Sequence, residues 1–432
     1  MPILILCLGA VGLGGCAASP MVEAAEAGDF ALLGREIDSA KASGELDDGA
    51  VEDVAVAVAS REIEKAKGDA GEKMVLSFAS CAEGLESALD DRSEQEDDVA
   101  AAASQLLLSA GLEDEDEFED YALDNDPRPA FRALGARGLI DLDHEDLRRK
   151  LFLDLDERVR VGALKAALSV PTPGDFDALV EAARVDPNSQ ARSTAARALG
   201  RIGGQRSSLA LKDLWLRADG RLRESVAAGW ASPPTFDAGG REQLQNAAEA
   251  GGEGSVHAAL LLARSSALEP NSKTARDAAM GVLVRTIKQG TREDRGLAIL
   301  MTPRTDLVLE AVREAKDSGD TSIAILAHSR LIREGKADEK KKSQEKLFTL
   351  AKGDDADAPR ARSELAGLGD KRVVPMLEKD LQAKNPFARA YAGRSLVSLG
   401  ELPRMAKLLA DKEAQVRADV ACAVIAKRDQ DD

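Results

Sequence analysis

A weak repeat runs through most of this chain and limits what it can fold into. Its clearest copies read VRVGALKAAL from Val159, ARSTAARALG from Ala191, ARAYAGRSLV from Ala388 and VRADVACAVI from Val416. Each opens on an apolar residue and an arginine, then runs into small apolar residues. The matching arginines are Arg132, Arg160, Arg192 and Arg223, spaced by 28, 32 and 31 residues, and Arg362, Arg389 and Arg417, spaced by 27 and 28. A unit of that length cannot bury its own apolar face. It must be covered by the next unit, so the period predicts a stacked solenoid rather than one globular core.

The composition gives the units their helical character. Of 432 residues, 44% are hydrophobic, much of that Ala and Leu, and only 3% are aromatic. Ala and Leu are strong helix formers, and small side chains allow helices to approach closely. The expected fold class is all-α, an α-solenoid of roughly nine or ten stacked helical hairpins. The formal charge is −18. So acidic a chain repels phosphate backbones and offers few rings for base stacking, so nucleic acid is not an expected partner. The charge serves solubility, or attraction to a basic partner or divalent cations.

One unit shows the logic of the repeat. Asp186-Pro187 reads as the cap and start of a helix over 189–202, with Ala191, Ala195, Ala198, Leu199 and Ile202 on one face. Gly203-Gly204 stops it. A second helix over 207–216 carries Leu209, Leu211, Leu214 and Leu216. Asn385-Pro386 opens another unit in the same way. The middle copies are degraded. VHAALLLAR keeps the small apolar core with His257 in the arginine slot, and Ser232-Pro233-Pro234 with Gly239-Gly240 reads as a looser loop.

The pattern resembles the HEAT-like repeats of bacterial proteins, including the short version named after phycobilisome lyases. The matching residues are Asp186, Pro187, Ala191, Arg192, Ala195, Ala196, Leu199 and Gly200. The resemblance covers residues 124–432 and implies a HEAT/armadillo-like superhelix. It also implies that Arg132, Arg160, Arg192, Arg389 and Arg417, with Asp186 and Pro187, tie neighbouring hairpins together before they bind anything else. It says little of function, because such repeats serve both protein-binding scaffolds and cofactor-attachment factors.

The N-terminus suggests an address. Residues 3–13 form an uncharged apolar stretch, about half the length that crosses a bilayer as a helix. Leu13-Gly14-Gly15-Cys16 follows and resembles the lipobox of bacterial lipoproteins, which makes 1–15 a signal peptide and Cys16 the lipidated residue. Only Met1 and Pro2 stand where a basic leader is usual. The alternatives are an uncleaved anchor or a chance apolar segment. Ala17 after the cysteine favours the outer membrane under the sorting rule of that resemblance. The expected localisation is therefore the cell envelope, lipid-anchored and facing the periplasm.

Residues 16–123 read as a helical N-terminal region, with degenerate repeats, preceding the solenoid at 124–432. Cys81 and Cys422 lie near opposite ends of that solenoid. Joining them requires the ends to meet, so the expectation is two buried thiols acting as small apolar residues. The acidic run 113–120 reads as a solvated helix start or linker, with calcium the alternative. No stretch supplies the spacing of an EF-hand, since the run from Asp141 puts Asp146 where Gly is needed and Phe152 where Glu is needed.

Chemistry is hard to find. His144, His257 and His328 are isolated, and neither metal-ligand spacing nor a nucleophile elbow or phosphate loop is present. Lys336, Lys340–Lys342 and Lys346 make the one basic patch, either a solvated helix face or a contact for anionic head groups or an acidic partner. The expected function is non-catalytic, without metal or small-molecule cofactor. The chain reads as a membrane-tethered scaffold that binds protein or peptide partners along the solenoid. The alternatives are an envelope structural protein without a discrete ligand, or an accessory factor for cofactor attachment.

Overall fold

The computed structural model describes residues 19–266, 273–353 and 355–431. Helices in pairs make up the whole of that chain, and no strand occurs among the described residues. Residues 1–15, where a signal peptide is expected, and Cys16 lie outside the described residues.

Ten helices carry the small-residue pattern: Pro129–Gly138, Glu157–Ser169, Ser189–Ile202, Gly220–Ala231, Ser255–Ser265, Arg292–Met301, Thr321–Glu334, Ala358–Gly367, Pro386–Ser398 and Ala414–Asp431. Each packs on the next in order. They come very close where glycine permits. A Cβ at Gly200 would stand 2.3 Å from the backbone of Gly229, and one at Gly162 would stand 2.3 Å from the carbonyl of Ala133. The second helices form the other layer. Between Asp306–Ala315 and Ala337–Ala351 they leave a groove of about 620 Å³. We call the arginine-bearing helices the inner layer and the second helices the outer layer.

The stack closes on itself. Ala414–Asp431 packs on Asp48–Lys65, and Asp98–Ala110 packs on Pro129–Gly138. The N-terminal helices thus fill the gap between the last hairpin and the first. One hydrophobic core joins residues from Met21 to Leu107 with residues from Ile325 to Ile425, and a second runs from Ala122 to Leu331. The ends of the solenoid meet, and Cys81 and Cys422 form a disulfide across the junction with Cα atoms 5.4 Å apart. The two-free-thiol expectation is corrected. It assumed an extended solenoid, and the closure of the stack brings both cysteines together.

Local details differ from the sequence expectation in three places. The Ser189–Ile202 helix is capped by Asn188, whose side chain accepts from the N–H groups of Gln190 and Ala191. Asp186 instead accepts from the N–H of Asn188, and Pro187 lies before the first turn. The Ser232–Gly240 stretch is not a loose loop. Pro233–Thr235 forms a helical turn that kinks at Gly239, where φ is 111°, into Arg241–Ala250. Buried Thr235 ties it down by donating to the carbonyl of Gly200 at 2.7 Å. On the Gly204–Arg217 helix, Leu211 and Leu214 are buried but Leu209 and Leu216 are exposed.

Candidate functional site: a clasped rim

Many of the loops that lead into the inner helices are stitched to the next one by the repeat arginines. Arg160 is the fullest case. Its Nε and Nη2 donate to the two carboxylate oxygens of Asp186 at 2.8 and 3.0 Å, while Nη1 donates to the carbonyls of Asp154 and Leu155. One planar guanidinium thereby joins its own entry loop to the next one, a use that needs arginine's fixed fork. Arg132 does the same between the carbonyl of Asp126 and the Asp154 carboxylate. Arg192 holds the carbonyls of Asp186 and Pro187 and faces Asp219 at 3.7 Å.

The second series repeats the device. Arg362 joins the carbonyls of Ala351 and Gly353 to Asp380 at 2.7 Å. Arg389 joins the carbonyls of Ala383 and Lys384 to Asp411 at 2.7 and 2.8 Å. The hydrogen bonds from Arg389 hold the Asp411 carboxyl below the ordinary carboxylate range against the opposing pull of burial. Arg417 takes the carbonyl of Asp411 and then the carboxylate of Glu62 in the Asp48–Lys65 helix. The clasp series therefore crosses the ring junction. His257 stands outside it, facing Glu224 of the preceding unit at 3.5 Å.

A deeper ion pair escaped the sequence reading. Arg148 and Asp175 are both fully buried and 2.6 Å apart, with Arg148 also donating to the Leu139 carbonyl at 3.2 Å. Both belong to degenerate positions outside the VR motif, so periodicity could not mark them.

The clasped rim is polar where the loops meet and apolar at their tips. Leu155 is 101% exposed, Leu153 81%, Leu216 71% and Val185 63%. Leu153 and Leu155 lie in the loop before Glu157–Ser169, while Val185 and Leu216 lie in the last turns of Phe176–Val185 and Gly204–Arg217, each just before a loop that Arg160 or Arg192 contacts. Leucines that could pack inward stand in solvent instead, and clustered exposure of large apolar side chains marks interaction surfaces. Elsewhere, the inside of the junction forms a groove of about 730 Å³ lined by residues including Ser19, Asp53, Arg61, Glu64 and Arg428. The acidic run folds into a 3-10 turn over Glu115–Phe118, with Glu115 paired to Arg137 at 3.0 Å. Glu113 beside it is pushed up to about 7, first by burial and then by Glu117 and Asp90.

Among the described residues no group of three or more His, Cys, Asp or Glu is placed to hold a metal ion. No helix among them is long and apolar enough to cross a membrane.

A family model described as HEAT repeats matches residues 148–229, the stretch that holds the Arg160 and Arg192 clasps. The chain thus carries HEAT-like repeats over residues 148–229, within an all-α solenoid fold. Among solved structures, it is similar to the Escherichia coli protein YibA at 17% identity, over 62% of this chain and 94% of that one, with a TM-score of 0.35. It is also similar to an engineered protein at 17% identity, over 89% of this chain and 99% of that one, with a TM-score of 0.28. No curated protein matches the chain.

Proposed function

We propose that this protein is a non-catalytic scaffold, tethered through lipid on Cys16 to an envelope membrane facing the periplasm, that docks a protein partner on its clasped rim. The observation that carries the reading is the exposure of Leu153, Leu155, Val185 and Leu216 at the entry loops and the helix ends that lead into them, beside a ladder of arginine clasps. A preformed apolar edge binds without first losing conformational freedom.

One feature supports the address: a disulfide such as Cys81–Cys422 belongs to oxidising compartments such as the periplasm.

Two measurements test this. Cys16→Ser releases the protein from the membrane fraction, and continued membrane association overturns the tether. A photocrosslinker at Leu155 in native membranes captures one recurrent partner protein, and Leu216→Asp abolishes that adduct while leaving the helical circular dichroism unchanged. Diffuse neighbours, insensitive to Leu216→Asp, identify an envelope structural protein instead.

A further inference from the structure

On the outer wall, the groove between Asp306–Ala315 and Ala337–Ala351 reverses the charge of the molecule. It is lined by five cations, Arg313, Lys316, Lys336, Lys342 and Lys346 among them all, against three acids, Asp317, Asp338 and Glu339. A net excess of two positive charges stands in a chain of net −18. The acids are partly spoken for already. Glu339 accepts from Arg313 at 2.6 Å, and Asp317 faces Lys316 at 3.0 Å. Lys342 and Lys346 have no such counterion among the described residues, and they stand one turn apart on the same helix, which aims both ammonium groups at one place.

A second, independent observation lies within the groove. His328 of the Thr321–Glu334 helix is 5% exposed and lines this groove, yet its Nδ1 is buried with no hydrogen-bond partner. Buried polar groups are nearly always satisfied, and an orphan calls for an explanation. Burial, with Lys316 and Lys346 nearby and only Asp317 opposing them, pushes the imidazole down to about 4. The protein thus keeps a neutral imidazole beside the ammonium groups of Lys316 and Lys346.

We propose that this groove is a binding site for a phosphate dianion, held by Lys342, Lys346 and Lys336, with His328 in its wall. An excess of two positive charges matches a phosphate monoester in sign and magnitude, and about 620 Å³ leaves room for a small organic group beyond the phosphate. Lysines act here as point charges, as they do at many phosphate sites. Lys340 and Lys341 belong to the same sequence patch but do not line the groove, which supplies a control of equal charge. The phosphate can come from a free metabolite or a lipid head group, and the test separates the two.

The full chain in neutral detergent is titrated with inorganic phosphate at constant ionic strength, by calorimetry and by NMR of the three histidines. Saturable binding is expected, with the His328 resonance moving while His144 and His257 stay. Lys342→Gln with Lys346→Gln weakens binding by about tenfold or more, whereas Lys340→Gln with Lys341→Gln leaves it within about twofold, since contact charges outweigh screened distant ones. Micelles doped with phosphatidic acid then compete with phosphate if the source is a lipid, and fail to compete if it is a free metabolite. No saturable heat at millimolar phosphate, an unmoved His328 resonance, or equal loss in both double variants overturns the proposal.

Discussion

Arg417 in the last helix donates to the Glu62 carboxylate, 355 positions earlier in the chain, and lays its guanidinium over Phe30 at 3.7 Å. The arginine that elsewhere clasps one hairpin to the next here clasps the end of the chain to its beginning. Ring closure thus uses the ordinary inter-repeat contact with a substitute acceptor. Removing that acceptor leaves a nearly buried cation uncompensated, so Glu62→Ala is expected to cost about 2–4 kcal/mol. Thermal unfolding checks the figure. Faster reduction of the nearby disulfide in the same variant shows that the loss is local to the junction.

The covalent lock is the second test. The Cys81–Cys422 bond spans 341 positions, so on the chain-entropy argument it restrains the unfolded state by as much as about 6 kcal/mol, an upper figure. Cys81→Ser is expected to lower the melting temperature markedly while keeping the helical spectrum, because the packing of Ala414–Asp431 on Asp48–Lys65 remains. Migration on non-reducing gels reads the bond directly. An unreduced chain that runs no faster than the reduced one overturns the closed ring.

How much of this was legible in the sequence follows from what periodicity can carry. The arginine at Arg160 repeats, so its slot shows, and the resemblance to HEAT-like units assigns it to joining hairpins. The acceptors are less visible. Asp186 sits beside Pro187 and reads as a helix cap, yet Asn188 caps the helix and frees Asp186 to hold Arg160. Closure was not legible at all. Glu62 and Cys81 lie in helices without the repeat motif, and the repeat does not show the bend that brings them to Arg417 and Cys422. The apolar rim was half visible. Leu216 shows in the sequence as one of four leucines on its helix, but helical periodicity does not distinguish the exposed last turn of a helix from its buried middle.

The Arg148–Asp175 pair makes a third test. Both side chains are fully buried. Breaking a buried pair strands one charge, so Asp175→Ala is expected to cost about 3–5 kcal/mol, and Asp175→Asn less, since the amide still accepts from Arg148. Replacing both residues together by apolar ones of similar volume should recover most of the loss. Chemical denaturation of the three variants decides it. Equal losses in the double and single variants would show that the pair is held for packing rather than for charge.

Gly200 supplies a fourth. A methyl group there meets the Gly229 backbone at 2.3 Å, and backbone cannot swing aside as a flexible side chain does. Gly200→Ala therefore gains helix propensity of about 1 kcal/mol but forces two inner helices apart. The net effect is expected to be destabilising by about 1–3 kcal/mol. Gly367, in the corresponding kind of helix but with open space around its Cβ position, is the control. Gly367→Ala should be neutral or stabilising. A stabilising Gly200→Ala, measured by thermal unfolding, would mean the inner layer is not tightly spaced.

Glu113 sets the pH response. Its carboxyl lies in partly buried surroundings with Glu117 and Asp90 close by, and its pKa is pushed up to about 7 from an ordinary 4.5. A carboxyl raised in the folded state binds its proton more tightly there than in the unfolded chain. Its contribution is therefore fully present below about pH 4.5 and is lost as the pH rises through about 7. Above pH 7 the folded protein carries a poorly solvated charge beside two like charges. Glu113→Gln removes that charge while keeping the shape, so it should stabilise the protein at pH 8 by on the order of 1 kcal/mol, after allowance for solvent screening at a partly exposed site. At pH 4.5 the variant and the parent should melt together. Melting curves at the two pH values test this, and an equal shift at both would trace the gain to packing instead of to charge.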